Sequence, residues 1–246
     1  MAPQEGSLGR TASLASPDGL NLSARPQLKE TTYDGTTYVA PSWEEMGSYT
    51  RDLAQQIIRS GQSFDRIVAL AKGGWTWART LADYLKMDQL SSVRIKRYGD
   101  VNQSGEPVIL QPLTDSVHGE VVLLFDEVID EGPTIRKGQE LLRVMGAAEI
   151  YTAALCYKPH SVVRPDFFEL ETTAWVVFPH EAREFIEGEG KKWLAAGLSM
   201  DEVEDRFFEI GLHPEDIEQY FTPLRNLDIQ TTLGIVTGES KYTSLL

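Results

Sequence analysis

Apolar residues along the chain fall into helical and strand periods. Ser42-Trp43-Glu44-Glu45 has the S-x-x-E form of a capping box, in which a serine hydroxyl and a glutamate satisfy free amides at a helix start, and Met46, Tyr49, Leu53 and Ile57 follow at helical spacing. This predicts a helix from about Ser42 to Ser60. The run RIVALA, Arg66 to Ala71, is short, β-branched and bounded by the glycines of Lys72-Gly73-Gly74, after which TWARTLADYLK sets Leu81 and Leu85 one turn apart. Strand, loop and helix are predicted in that order. Val93 and Ile95 alternate with Arg94 and Lys96 in a second strand. From Arg97 to Glu120 the chain has little helical periodicity and much Gly, Pro and Ser, and reads as a long mobile loop with room for a small hairpin.

Val121 to Phe125, VVLLF, is uniformly apolar, as a strand buried on both faces of a parallel sheet is. Ile135, Leu141, Leu142 and Met145 then precede a terminating Gly146, so a helix packs back on that sheet. Further strands are predicted from about Ile150 to Cys156 and from Trp175 to Phe178. Strands alternating with helices imply an α/β fold: a parallel twisted sheet with flanking helices and right-handed crossovers. After Pro179, three stretches read as short amphipathic helices, with Ser199 and His213 near two of the starts. The predicted organisation is a leader at 1–30, an α/β domain at 31–181, a small C-terminal helical appendage at 182–228, and a tail at 229–246 without a clear signal.

Composition narrows the setting. The leader is rich in Ser, Gly, Ala and Pro without the apolar core of a secretory signal, so it reads as disordered; its Arg and Ser leave an organelle transit peptide as the alternative. No stretch approaches the roughly 18 unbroken apolar residues of a membrane span, so a soluble protein is expected, with no membrane partner. A net charge of -14 argues against nucleic acid, whose phosphates are held by Lys and Arg. A small phosphorylated substrate stays compatible with it, if backbone amides and magnesium neutralise charge locally. The single cysteine, Cys156, excludes an internal disulfide, fits a reducing compartment such as the cytoplasm, and reads as a small core residue.

The segment FDEVIDEGPT, Phe125 to Thr134, joins the buried strand to the next helix. Ligands of open α/β sheets sit outside the carboxyl ends of strands, where a helix start presents free amides. Gly132 lets the backbone come close, Thr134 offers a hydroxyl, and the adjacent Asp126 and Glu127 can accept hydrogen bonds from two vicinal hydroxyls. That pattern suits a ribose phosphate. Acids are also common at strand ends and helix caps for purely structural reasons.

The order of hydrophobic strand, two acids, two aliphatics, Asp and x-G-x-T resembles the phosphoribosyl pyrophosphate signature of the type I phosphoribosyltransferases. From Tyr38 to Glu181, the succession Tyr38, Trp43, Lys72-Gly73-Gly74, Arg97-Tyr98, FDEVIDEG, Tyr157-Lys158-Pro159 and Trp175-x-x-x-Pro179 resembles the xanthine-guanine and hypoxanthine-guanine branch. The resemblance implies that Asp126, Glu127, Glu131, Gly132, Pro133 and Thr134 hold the ribose phosphate, and that Lys72 and Gly73 hold pyrophosphate on a turn with an unusually placed backbone. It implies that Lys158 donates to the purine 6-oxo group, that Trp175 stacks on the ring, and that the backbone of Val176 or Val177 reads the 2-position. Seen without the resemblance, Lys158 reads as a solvated lysine and Trp175 as a core aromatic. Lys72 replaces a usual Arg, and His180 stands where a second Trp is common, next to the matching acid Glu181. Glu131 stands where most of the family has Thr; facing a phosphate it would repel it, so it is expected to point to solvent or bind its own backbone.

The implied reaction is transfer of a phosphoribosyl group from phosphoribosyl pyrophosphate to a 6-oxopurine, with Asp130 as acceptor of the purine proton. Magnesium arrives on the pyrophosphate, touched only indirectly by Asp126 and Glu127 through substrate and water. The 97–120 loop is a candidate lid, and a homo-oligomer is expected. Two other readings stay open: a non-catalytic sensor of phosphoribosyl pyrophosphate or a nucleotide on the same fold, and a partner-binding protein acting through an exposed apolar patch on 182–228.

Overall fold

A computed structural model describes residues 28–97 and 105–222. The described residues open with a hairpin of strands β1 (Thr31–Tyr33) and β2 (Thr36–Val39), whose turn residues Asp34 and Gly35 both have positive φ, at 52° and 83°. Helix α1 (Trp43–Ser60) follows with its capping box formed, the Ser42 hydroxyl accepting from the Glu45 N–H at 3.2 Å. Next come β3 (Arg66–Ala71), α2 (Gly73–Tyr84), β4 (Leu90–Arg97), β5 (Pro107–Gln111), β6 (Val121–Ile129), α3 (Pro133–Val144), β7 (Glu149–Tyr157), β8 (Phe167–Glu171) and β9 (Trp175–Val176). Helices α4 (Ala182–Ala195), α5 (Met200–Ile210) and α6 (214–222) complete the described chain.

The main sheet has the order β5-β4-β3-β6-β7-β8, parallel except for the edge strand β5. Helices α1 and α2 cover one face, where Leu53, Ile57, Trp77, Leu81, Leu123 and Phe125 share a core. Helix α3 covers the other, placing Ile135 and Leu142 against Val68, Val122 and Leu124. The expected parallel α/β sheet with flanking helices is therefore what the chain forms.

Four expectations need correction. WVVF is not a strand of the main sheet: only Trp175 and Val176 of it form a strand, in a separate sheet of order β1-β2-β9, because Val39 pairs with Val176. Strand β6 does not stop at Phe125 but pairs with β7 as far as Ile129, so Asp126 and Glu127 lie within the strand. No loop separates the glycines from the helix: α2 begins at Gly73 itself, directly after Lys72. The stretch after Gln111 is no mobile loop either, since Leu113 and Val117 enter the core and Arg66 pairs with Glu120 at 2.7 Å. The small hairpin does form, as β4 and β5; residues 98–104 of the expected lid lie outside the described residues.

Residues 1–27 of the expected leader, 223–228 of the appendage and the tail at 229–246 also lie outside them. The predicted helices after Pro179 form and bury Phe185, Trp193, Val203, Phe207, Ile217 and Phe221 together with Tyr38 and Val177. Between 182 and 222, Phe208 is the exposed large apolar side chain, at 46% exposure, which is no extended patch.

Candidate active site

Three clefts meet at the carboxyl ends of β3, β6 and β7, and Val128 lines all of them. The first, about 270 Å³, lies over the start of α3 and is lined by Arg97, Asp126, Asp130, Glu131, Gly132 and Thr134. Gly132 caps α3 at φ 98°, a left-handed conformation that glycine adopts without strain, and no side chain caps the first turn. A Cβ there would stand 2.6 Å from Ser161 Oγ and 3.0 Å from Val163 N, so the bend has no room for one. Pro133 at the first helical position lacks an N–H and points the chain into the helix. Glu131 does not bind its own backbone. It accepts a hydrogen bond from the Arg97 guanidinium at the end of β4, while its side chain stays 60% exposed.

The second cleft, about 370 Å³, is lined by Lys72, Gly73, Arg94, Lys96, Asp126 and Glu127. The Ala71–Lys72 peptide is cis, the unusually placed backbone that was expected there. Gly73 lies under the Glu127 carboxylate: a Cβ there would fall 2.0 Å from Glu127 Oε1, so that side chain would have to move to admit one. Asp126 Oδ1 accepts the Glu127 N–H at 2.9 Å, and burial, aided by the charge of Glu127, holds the Asp126 carboxyl well above the usual range. Glu127 is buried, with Oε2 at 2.8 Å from His180 Nε2, an ion-pair distance at which neither atom is aligned for a hydrogen bond. Burial opposes the imidazolium of His180, but the neighbouring carboxylates outweigh it and its pKa is raised; Glu181 is raised by burial and then by Glu127. Glu127, His180 and Glu181 bring their ligand atoms within 4.8 Å of one another.

The third cleft, about 500 Å³, is lined by Thr36, Asp130, Lys158, His160, Trp175 and Val176, among others. Lys158 is no solvated lysine: it is 5% exposed, donates to the Ala174 carbonyl, and burial lowers its pKa. Trp175 is no core aromatic either, being 56% exposed on β9. Val177 already gives its N–H to the Val39 carbonyl at 2.8 Å. His160 Nε2 sits 2.8 Å from Asp130 Oδ1, and Asp130 lines this cleft as well as the first.

The residues singled out from the sequence are thus all brought to one region. Arg94, Lys96, His160 and Thr36 were not singled out. The alternating cations of β4 were a usable signal for two of them, because residues two apart share a strand face.

A family model described as the phosphoribosyl transferase domain matches residues 42–184. A curated xanthine-guanine phosphoribosyltransferase of Gluconobacter oxydans is 28% identical over 145 residues, covering 58% of this chain and 83% of its own length. One from Idiomarina loihiensis is 26% identical over 140 residues, 56% and 83% of the two chains. Among solved structures, a purine phosphoribosyltransferase from Pyrococcus horikoshii superposes with a TM-score of 0.53 at 29% identity, over 58% of this chain and 93% of its own. With more than half of its length matched by the family model and the three clefts assembled as above, the chain belongs to the phosphoribosyl transferase domain family.

Proposed function

We propose that the protein is a purine salvage enzyme, which transfers the 5-phosphoribosyl group of phosphoribosyl pyrophosphate to guanine, xanthine or hypoxanthine. The observation that carries the choice of base is the third cleft, where a buried ammonium, Lys158, and an exposed indole, Trp175, share a cavity with Asp130. Lys158 has donors and no acceptor, so it suits a 6-oxo group; Trp175 offers a stacking face. The relatives named xanthine-guanine phosphoribosyltransferase support the same class.

In this reading, the amides of the first turn of α3 and the Thr134 hydroxyl take the 5'-phosphate, with Gly132 and Pro133 shaping the turn. Asp126 and Glu127 take the ribose hydroxyls, and Lys72 and Gly73 face the pyrophosphate. The bond from the anomeric carbon to pyrophosphate breaks with both electrons on the leaving oxygen, while a purine ring nitrogen forms the new bond. The purine proton passes to Asp130, whose carboxylate His160 holds in place. Positive charge on the ribose in the transition state is stabilised by fixed carboxylates beneath it. The Val176 backbone, its neighbour Val177 being engaged with Val39, reads the 2-position.

Magnesium fits the carboxylates of this site: Glu127 Oε2 is buried without an aligned donor, and the Glu181 carboxylate belongs to the same cluster with His180. Asp126 and Glu127 would hold it indirectly, through substrate oxygens and water, and what it would supply there is charge neutralisation of the pyrophosphate. The single cysteine of the sequence, Cys156, supports a reducing, cytoplasmic setting, and its burial, which pushes the thiol up to about 12, fits a core residue and no nucleophile.

The test is purified protein with phosphoribosyl pyrophosphate, magnesium and guanine, xanthine, hypoxanthine or adenine in parallel. Nucleotide is expected from the oxopurines and little from adenine. Adenine as the best substrate, or no product from any base, overturns the reading.

A further inference from the structure

Glu131 stands inside the loop assigned to the 5'-phosphate, and its charge opposes that task at close range. The structure gives the carboxylate a partner from another element: Arg97, at the end of β4, donates to it. The Arg97 Nε also donates to the Gly105 carbonyl at 3.2 Å, so the guanidinium is oriented from two sides. Both side chains line the first cleft together with Thr134, over a helix start that no side chain caps. An anion entering there meets backbone amides, a hydroxyl and a guanidinium that already holds a carboxylate.

We propose that Arg97 is a ligand of the 5'-phosphate and that Glu131 is its resting counterion, so that binding exchanges a carboxylate for a phosphate on one guanidinium. The proposal rests on the phosphoribosyl reading of the cleft. A phosphate monoester carries about -1.5 to -2 charges and three strong acceptor oxygens, against one charge and two oxygens for Glu131, and the planar fork of Arg pairs with either. The released Glu131 is already 60% exposed, so returning it to water costs little, whereas Arg97, at 27%, keeps a full partner throughout. Arg94 and Lys96 bring two further cations to the neighbouring cleft along the same strand. Glu131 therefore keeps the Arg97 guanidinium paired and in place over the cleft of the empty site, and a dianion displaces it better than a weaker anion does. Arg97 sets specificity at this end of the substrate.

The experiment is calorimetric titration of the native protein and of Arg97→Ser, Arg97→Lys, Glu131→Thr and the Arg97→Ser/Glu131→Thr double variant. Two probes are used: phosphoribosyl pyrophosphate with magnesium, and ribose 5-phosphate for the phosphate end alone. Loss of a charge-assisted contact, with Glu131 left facing the phosphate, is expected to weaken both probes by roughly tenfold to a hundredfold in Arg97→Ser. Arg97→Lys should fall between that variant and the native protein, since it keeps the charge and loses the fork. Glu131→Thr should bind both probes more tightly, and the double variant should recover most of what Arg97→Ser lost, a non-additive result. An ion pair serving only the fold would instead lower the melting temperature of both single variants with unchanged affinity for ribose 5-phosphate.

Affinity within twofold of native in Arg97→Ser, or a double variant no better than it, overturns the assignment of Arg97 and leaves the enzyme reading standing, provided native protein binds and turns over. Native protein that binds neither probe and forms no nucleotide overturns both.

Discussion

The end of the site proposed for phosphate and the end proposed for the base are built in opposite ways. At the phosphate end, one run from Asp126 to Thr134 supplies acids, glycine bend and helix start, and its chemistry is largely backbone. At the base end, Thr36, Asp130, Lys158, His160, Trp175 and Val176 come from four separate stretches, and the chemistry is carried by side chains that the fold must bring together. A run of consecutive residues keeps its geometry under drift elsewhere in the chain. An assembly of side chains is instead free to change its ligand one contact at a time.

If the two ends are separable, variants should sort by end, and Asp130, which lines both clefts, should behave as neither. Asp130→Asn keeps the shape and removes the proton acceptor, so kcat is expected to fall about a hundredfold to ten-thousandfold while the KM values of both substrates change little. Steady-state kinetics decide it, and an unchanged kcat removes Asp130 from the mechanism. Lys158→Met acts at the base end. A mismatched buried donor costs about 1–3 kcal/mol, so the ratio of kcat/KM for guanine over adenine should drop by roughly tenfold to a hundredfold, with the KM for phosphoribosyl pyrophosphate unmoved. A parallel rise in that KM would break the separation. Gly132→Ala acts at the phosphate end, forcing a left-handed residue against Ser161 and Val163. It should cost about 1–3 kcal/mol in denaturant unfolding and raise the KM for phosphoribosyl pyrophosphate while leaving that for guanine alone.

The same contrast explains what could be read from the chain. The α1 capping box, the apolar run of β6 and the glycine bend before α3 are local patterns, and each appears in the structure where the sequence placed it. The TTYDGTTYV hairpin is equally local, an Asp-Gly turn between β-branched residues, but strands of only three and four residues leave too short a period to stand out. Assigning Trp175 to Phe178 to the main sheet failed for another reason. A short apolar run does not say which sheet it joins, and pairing with Val39, far earlier in the chain, decides it. Lys158 and Trp175 show the limit most clearly: composition favours a solvated lysine and a packed indole, and the structure reverses both. Residue type reports average cost, whereas a binding cavity is where a protein tolerates the uncommon burial and the uncommon exposure. The Arg97–Glu131 pair is invisible from sequence for the same reason that it works, since its members come from different elements.

Strand β9 has two residues, too few to hold a shape by itself. Just beyond it, Val177 is sealed with Tyr38 under α4, α5 and α6, where Tyr38 meets Phe185 and Trp193 edge-on at 5.6 and 6.1 Å between ring centres. The indole proposed to stack on the purine is therefore mounted on a thin plate with a heavy backing, and the stiffness of the plate is that of the backing. Natural variation in those helices then has a way to retune base affinity from behind, through wobble in Trp175, without altering any atom that a purine touches.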